Sequence, residues 1–218
     1  MLNHIYYIAP FAVWMVMMTI LPATAGAYAL RGFATAALLI ASGYAAGKKF
    51  FPRVRFSSLL AGLIGGVAVC VIWILPESSS FYRTWLCWPP GSMPPPTLEP
   101  SPYDPAVCGW WLTVIKLIAS AFIIAPVEEI FFRSFLYRRL QSRDFESVSL
   151  SKFDASSFAW MVCLFAAEHD RYLVAAIAGA VYGLLAIKFS LSAAVIAHVV
   201  TNLLLALYVI YTGNWGFW

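Results

Sequence analysis

The sequence predicts an all-α integral membrane protein with about seven transmembrane helices and a polar cavity among the last four. Of its 218 residues, 62% are hydrophobic and 11% are charged, whereas a soluble domain carries roughly 25% charged residues. Fourteen basic and ten acidic residues cannot cover a water-facing surface of this size. We therefore interpret the net charge of +4 as basic loops that orient the protein in the membrane, and we expect no nucleic acid among its partners.

The N-terminal part of the chain, residues 1–75, predicts three transmembrane helices. No Lys or Arg precedes the first apolar run, so an uncleaved span is expected there and not a signal peptide. In the third run Gly62 and Gly66 are four residues apart, a spacing typical of close helix packing in lipid. The segment from Lys48 to Arg55 is the densest basic loop. We expect it to be cytoplasmic, which also places the N-terminus in the cytoplasm.

Residues 76–109 are rich in proline and predict a loop on the non-cytoplasmic side. A regular helix cannot continue through prolines this dense, because each one removes a backbone donor. Cys87 and Cys108 flank the densest part of the loop and could form a disulfide if it faces an oxidising compartment. No CxxC pair occurs, so a zinc ribbon is not expected.

The remaining residues, 110–218, predict a four-helix core whose first helix carries two adjacent acids, Glu128 and Glu129. Charged side chains at bilayer depth are costly and usually functional. Glu129 and Arg133 share a helix face and can pair, whereas Glu128 lies about 100° around the helix, away from Arg133. Pro126 should kink this helix just before the acids.

The last three apolar runs carry further polar residues. The run 156–168 is too short to span alone, so with the run 173–189 it predicts a hairpin whose tip holds His169. The final helix carries His198 and Asn202, four residues apart on one face. Counted along their helices, Glu128, His169, His198 and Asn202 fall at similar depth, about 12–20 Å from the cytoplasmic side.

The four polar residues at this depth together favour a hydrolytic reaction. Glu128, with His169 nearby, could deprotonate a water molecule, and His198 and Asn202 could donate hydrogen bonds to the resulting oxyanion. Glu129 and Arg133 would support the site as a buried ion pair. No serine or cysteine in these helices has an obvious base partner, which makes a nucleophilic triad less attractive.

Three motifs also resemble a known family: Glu128-Glu129-x-x-x-Arg133, Phe165-x-x-x-His169 and His198-x-x-x-Asn202. In this order, on separate apolar helices, they are similar to the signature of the CPBP family. That family includes the CAAX prenyl endopeptidases of the Rce1 type and bacterial Abi-type proteins. The resemblance covers roughly residues 112–207.

The resemblance implies a glutamate-type intramembrane endopeptidase with no obligatory metal or cofactor. It assigns water activation to Glu128 and His169, the oxyanion site to His198 and Asn202, and supporting roles to Glu129 and Arg133. The substrate would be a membrane-associated peptide or protein. Similarity to the exosortase-associated branch suggests the cytoplasmic membrane of a bacterium.

Other functions remain open at this point. Glu128, His169 and His198 could bind zinc in an open three-ligand site, although no HExxH motif supports it. A non-enzymatic immunity or scaffold protein could use the same polar core for binding. A proton-coupled transporter also uses buried acids and histidines, but no inverted repeat is visible.

Overall fold

The computed structural model describes residues 3–45, 54–87 and 100–218, and these ranges are helical, with no β-strand. Their main helices are α1 (Asn3–Ile20), α2 (Ala25–Ala45), α3 (Phe56–Ile74), α4 (Trp110–Gln141), α5 (Ala155–Ala167), α6 (Tyr172–Lys188) and α7 (Leu191–Thr212). The predicted all-α class is therefore confirmed.

Four of the described helices, α2, α3, α4 and α7, are long and apolar enough to cross a membrane. Helices α1, α5 and α6 are also apolar but shorter. Helix α5 has 13 residues, and about 20 are needed to span a bilayer. The integral membrane class is supported by the four long helices, while seven crossings stay a prediction.

Helix α4 is continuous over 32 residues, but its turns are not uniform. Two wide π-helical segments, Ser120–Ile124 and Ile130–Leu136, enclose a short α-helical stretch, Ala125–Glu129. Pro126 is the second residue of that stretch, where the preceding wide turn accommodates a residue without a backbone donor. π-Helical turns of this kind often mark functional sites, and here they enclose both predicted acids.

Helix α3 packs closely against α7 through the glycines that the sequence singled out. A Cβ atom at Gly62 would lie 2.8 Å from the Ala193 carbonyl oxygen, and one at Gly66 would lie 2.5 Å from that of Ala197. The Thr201 hydroxyl donates to the Gly66 carbonyl oxygen at 3.0 Å. The predicted packing face is therefore present, and α3 packs against the C-terminal part. The division of the chain into three parts stays a prediction.

The proline-rich segment differs from the expected loop because it contains short helical turns. A 3₁₀ turn (Leu75–Ser78), a π-helical turn (Tyr82–Leu86) and one α-helical turn (Pro105–Cys108) lie in its described parts. Residues 88–99, which hold most of the prolines, lie outside the described residues, as does most of the predicted basic loop. Cys87 and Cys108 are free thiols, so the possible disulfide is not formed.

Helices α5 and α6 form the predicted hairpin, and its tip is held from two sides. Asp154 caps α5 by accepting from the Ser157 backbone N–H. At the tip, Arg171 forms an ion pair with Glu77 and donates to the Gly216 carbonyl oxygen at 2.9 Å. These contacts fix the turn that carries His169 over the end of the bundle.

Candidate active site

A cavity of about 230 Å³ lies between α4 and the last three helices. Its walls include all four residues predicted to be catalytic: Glu128, His169, His198 and Asn202. Aromatic side chains make up much of the remaining wall: Trp14, Tyr28, Trp73, Phe165, Tyr182, Phe217 and Trp218. The structure therefore brings the three motifs together around one space, as the depth count from the sequence predicts.

Glu128 has a buried carboxyl group that no hydrogen bond fully satisfies. The residue is 8% exposed, and its Oε2 atom has no hydrogen-bond partner among the described residues. The His198 Nε2 atom lies 3.7 Å from this oxygen, beyond hydrogen-bond range. Because an unsatisfied buried carboxyl is costly, Oε2 is well suited to bind a ligand or water in the cavity.

Glu129 is fully buried and holds two partners through one oxygen. Its Oε1 atom lies 3.0 Å from Arg133 Nη1 and 2.9 Å from His198 Nδ1. Arg133 also donates to the Gly179 carbonyl oxygen at 3.1 Å. The pair expected from the four-residue spacing is thus present, and it is joined by His198. Glu129 fixes the ring orientation of His198 and turns Nε2 towards Glu128.

His169 lies two residues beyond the end of α5. Its Nδ1 atom is 2.8 Å from the Phe165 carbonyl oxygen, so Nδ1 carries the proton and donates. Nε2 then keeps its lone pair and can accept a proton or bind a metal. The ring also packs edge-on against Trp73 at 5.8 Å. The backbone bond therefore presents an unprotonated ring nitrogen from the hairpin tip.

His198 and Asn202 lie on one face of α7, one turn apart. The His198 ring stacks on Tyr182 with centroids 4.7 Å apart, and the Tyr182 hydroxyl donates to Thr201 Oγ1 at 2.7 Å. Asn202 Nδ2 donates to the Ser120 carbonyl oxygen at 3.0 Å. Since an amide nitrogen carries two hydrogens, one N–H of Asn202 stays available to the cavity.

A possible metal site differs from the one that the sequence suggested. One ligand atom each from Glu128, Glu168 and His169 lie within 4.8 Å of one another. His198 is not in this set, and Glu168 takes its place. Glu168 Oε1, like Glu128 Oε2, is buried without a partner among the described residues. Two carboxylates and one imidazole are a ligand set that fits zinc, after a contraction to bond distances of about 2 Å.

Two polar residues in or near the cavity were not selected from the sequence. Glu168 follows α5 directly and lies beside Glu128; adjacency to His169 was the one available signal. Lys116 also lines the cavity. It is a charged residue inside an apolar run, and the rule that selected Glu128 would have selected it too.

Comparison with known protein families gives a match to the C-terminal part of the chain. Residues 110–204 match the family model described as type II CAAX prenyl endopeptidase Rce1-like. The matched range contains Glu128, Glu129, Arg133, His169, His198 and Asn202. Neither the curated proteins nor the solved structures gave a match to this chain.

Proposed function

The chain belongs, through residues 110–204, to the Rce1-like family of type II CAAX prenyl endopeptidases, and on that premise we propose that it is a glutamate-type intramembrane endopeptidase. Its substrate is a membrane-associated peptide or protein. The observation that carries the proposal is the unsatisfied, buried Glu128 carboxyl, which faces one cavity together with His169, His198 and Asn202.

Glu128 and His169 are suited to activate water between them. Their ligand atoms lie within 4.8 Å of each other, and one water can bridge a gap of this size with two hydrogen bonds of about 2.8 Å. The Glu128 carboxylate takes a proton from this water. The water oxygen then forms a bond to the scissile carbonyl carbon. His169 Nε2 accepts the second hydrogen bond and orients the water.

His198 and Asn202 are suited to stabilise the oxyanion that forms. The Glu129 carboxylate accepts from His198 Nδ1 and holds the ring so that Nε2 faces the cavity, where it donates to the oxyanion. The free N–H of Asn202 is the second donor. When the C–N bond breaks, the proton held by Glu128 passes to the leaving amine. Glu128 is restored, and the products are a carboxylic acid and an amine.

We place the protein in the cytoplasmic membrane of a bacterium with its N-terminus in the cytoplasm. In this arrangement all seven helices cross or enter the bilayer: three N-terminal helices (1–75), a non-cytoplasmic segment (76–109) and the catalytic core (110–218). The four long apolar helices support the membrane location. The basic segment after α2 supports the orientation.

A second candidate is a zinc-dependent protease, and the grouping of Glu128, Glu168 and His169 favours it. In that case these three residues would hold the ion, and zinc would lower the pKa of a bound water. His198 and Asn202 would keep their roles towards the oxyanion. The two candidates differ in the effect of chelation, which should abolish zinc-dependent hydrolysis only.

The proposal is tested by comparing membrane proteins from cells that carry the wild-type chain or the Glu128→Gln variant. Glutamine keeps the shape of Glu128 and removes the base. We expect new protein N-termini, read by mass spectrometry, that arise with the wild type and are absent with the variant. Asp144→Asn, which changes an exposed loop carboxylate, is the matched control and should give the wild-type pattern.

A cellular phenotype that survives Glu128→Gln, with no cleavage product found, would instead support the non-enzymatic function. The variant must reach the membrane at the wild-type level for this result to count. Quantifying the protein in the isolated membrane fraction provides that check, and gel filtration in detergent shows whether the variant is aggregated.

A further inference from the structure

Two buried cations, Lys116 on α4 and Arg31 on α2, lie near each other because both contact the Tyr28 ring, and Lys116 precedes Glu128 by twelve residues on α4. Lys116 is 7% exposed and Arg31 is 6% exposed. Lys116 lines the cavity itself. A long cationic side chain near a helix end normally extends to water, so burial of both cations needs a cause.

Aromatic rings surround both cations. Lys116 Nζ lies 3.9 Å from the ring centroids of Tyr28 and Tyr103 and 5.3 Å from that of Trp218. The Arg31 guanidinium lies 4.8 Å from the Trp14 ring and 5.0 Å from the Tyr28 ring. Aromatic faces attract cations, but they supply no oxygen to accept the N–H hydrogens. The enclosure is positive and short of acceptors.

No carboxylate neutralises this pair within the described parts of the chain. None of the salt bridges found there involves Lys116 or Arg31. Arg31 lies beside the Tyr103 hydroxyl, yet its Nε atom is buried without a hydrogen-bond partner. Two like charges in one enclosure repel each other and lose their hydration. An anion that entered the cavity would relieve both costs.

The cations and the catalytic acid are connected along one face of α4. Lys116, Ser120, Ile124 and Glu128 follow one another at intervals of four residues, and all four line the cavity. Twelve residues of helix separate Lys116 from Glu128, a distance of at most about 18 Å, because the π-helical segment between them rises less per residue than an α-helix. An extended peptide spans that distance with about five residues.

We propose that Lys116, supported by Arg31, binds a carboxylate of the peptide substrate about five residues from the scissile bond. The carboxylate is either an acidic side chain or the free C-terminus of the substrate. This inference rests on the proposed endopeptidase function and adds a specificity element to it. Peptides without an anion at that position bind more weakly, because the two cations stay unpaired.

A peptide of this length needs more room than the 230 Å³ of the cavity. The wall formed by Phe217 and Trp218 can provide it, since these residues lie at the end of, and directly after, a single 3₁₀ turn that follows α7. Displacement of the Trp218 ring also uncovers one side of Lys116. The substrate carboxylate then occupies the position that the ring vacates.

The inference is tested with three libraries of twelve-residue peptides and the purified protein in phosphatidylcholine vesicles. One library has free C-termini, one has amidated C-termini, and one is amidated and lacks Asp and Glu. Mass spectrometry locates each cleavage. We expect cleaved peptides to be enriched about tenfold or more for a carboxylate four to six residues from the cut. The first two libraries distinguish a terminal carboxylate from a side chain.

The variants separate this inference from the proposed function. Lys116→Met keeps most of the side-chain volume and should reduce the enrichment about tenfold, through a higher KM. Lys116→Arg should retain it, and Lys152→Met, at an exposed loop lysine, should behave as wild type. Glu128→Gln should abolish cleavage of every library. Equal enrichment in wild type and Lys116→Met would overturn the anion site while leaving the endopeptidase function intact.

A binding measurement tests the site without catalysis. Hexanoate should raise the thermal midpoint of the Glu128→Gln protein, hexanamide should not, and Lys116→Met should abolish the effect. If hexanoate has no effect, or if only phosphatidylglycerol vesicles stabilise the protein through Lys116, the carboxylate assignment is wrong. In the second case the cations bind a lipid phosphate.

Discussion

Replacing Glu129 with glutamine tests the buried network that positions His198. The change keeps the side-chain shape and an oxygen for the His198 Nδ1 proton, but it removes the charge that faces Arg133 at 3.0 Å. Both partners are almost completely buried, at 0% and 1% exposure. Removing one member of such a pair leaves an uncompensated charge and costs about 3–5 kcal/mol.

The companion variant Glu129→Gln/Arg133→Met removes both charges. Because an apolar replacement of a buried pair is often nearly neutral, we expect the double variant to be more stable than Glu129→Gln alone. Unfolding free energies in mixed micelles provide the comparison, with Asp144→Asn as a control that should lie within about 0.5 kcal/mol of wild type. A cost of less than about 1 kcal/mol for Glu129→Gln, or simple additivity of the two changes, would contradict a buried charge pair between Glu129 and Arg133.

Three further predictions concern packing, pH and metal. Gly66→Ala should destabilise the protein by about 1–3 kcal/mol, since its Cβ would lie 2.5 Å from the Ala197 carbonyl oxygen. Gly65→Ala should cost less, because its Cβ would meet the end of the flexible Leu185 side chain. A larger cost for Gly65→Ala than for Gly66→Ala would contradict the α3–α7 packing. The Ser157 N–H holds the pKa of Asp154 below its usual 3.8, so the capping carboxylate stabilises the fold above that pH. This advantage over Asp154→Asn should disappear as pH falls through the lowered pKa, and thermal midpoints from neutral pH to about pH 2 would show it; a constant difference would contradict it. The cleavage rate under strong chelation should stay within about twofold of the untreated rate. A loss of cleavage that added zinc reverses would establish the metal mechanism instead.

Helical spacing in the sequence was enough to predict the local pairs of this fold. The four-residue interval between Glu129 and Arg133 predicts their contact, and the same interval at Gly62 and Gly66 predicts close packing. Such contacts depend on one helix or on one face, so they do not require knowledge of how distant helices pack. Counting depth along three helices also brought Glu128 and His169 to one level.

Contacts that depend on exact helix ends or on turn geometry could not be predicted. The two π-helical segments around Glu128 have no clear sequence signature beyond Pro126. The side-chain direction of Glu168 depends on the turn after α5, and the proximity of Lys116 to Arg31 depends on how α2 packs against α4. Each is set by tertiary packing, which overrides local propensity.

The most direct test of the account is the rate at which Glu128→Gln hydrolyses a substrate identified with the wild-type protein. Both proteins are reconstituted in vesicles, and their thermal midpoints are compared first to establish that the variant is folded. A positioned general base contributes about 10²–10⁴-fold to a rate, so kcat/KM should fall by at least about 10². A folded variant whose kcat/KM stays within about threefold of wild type would contradict the assignment of Glu128 as the base.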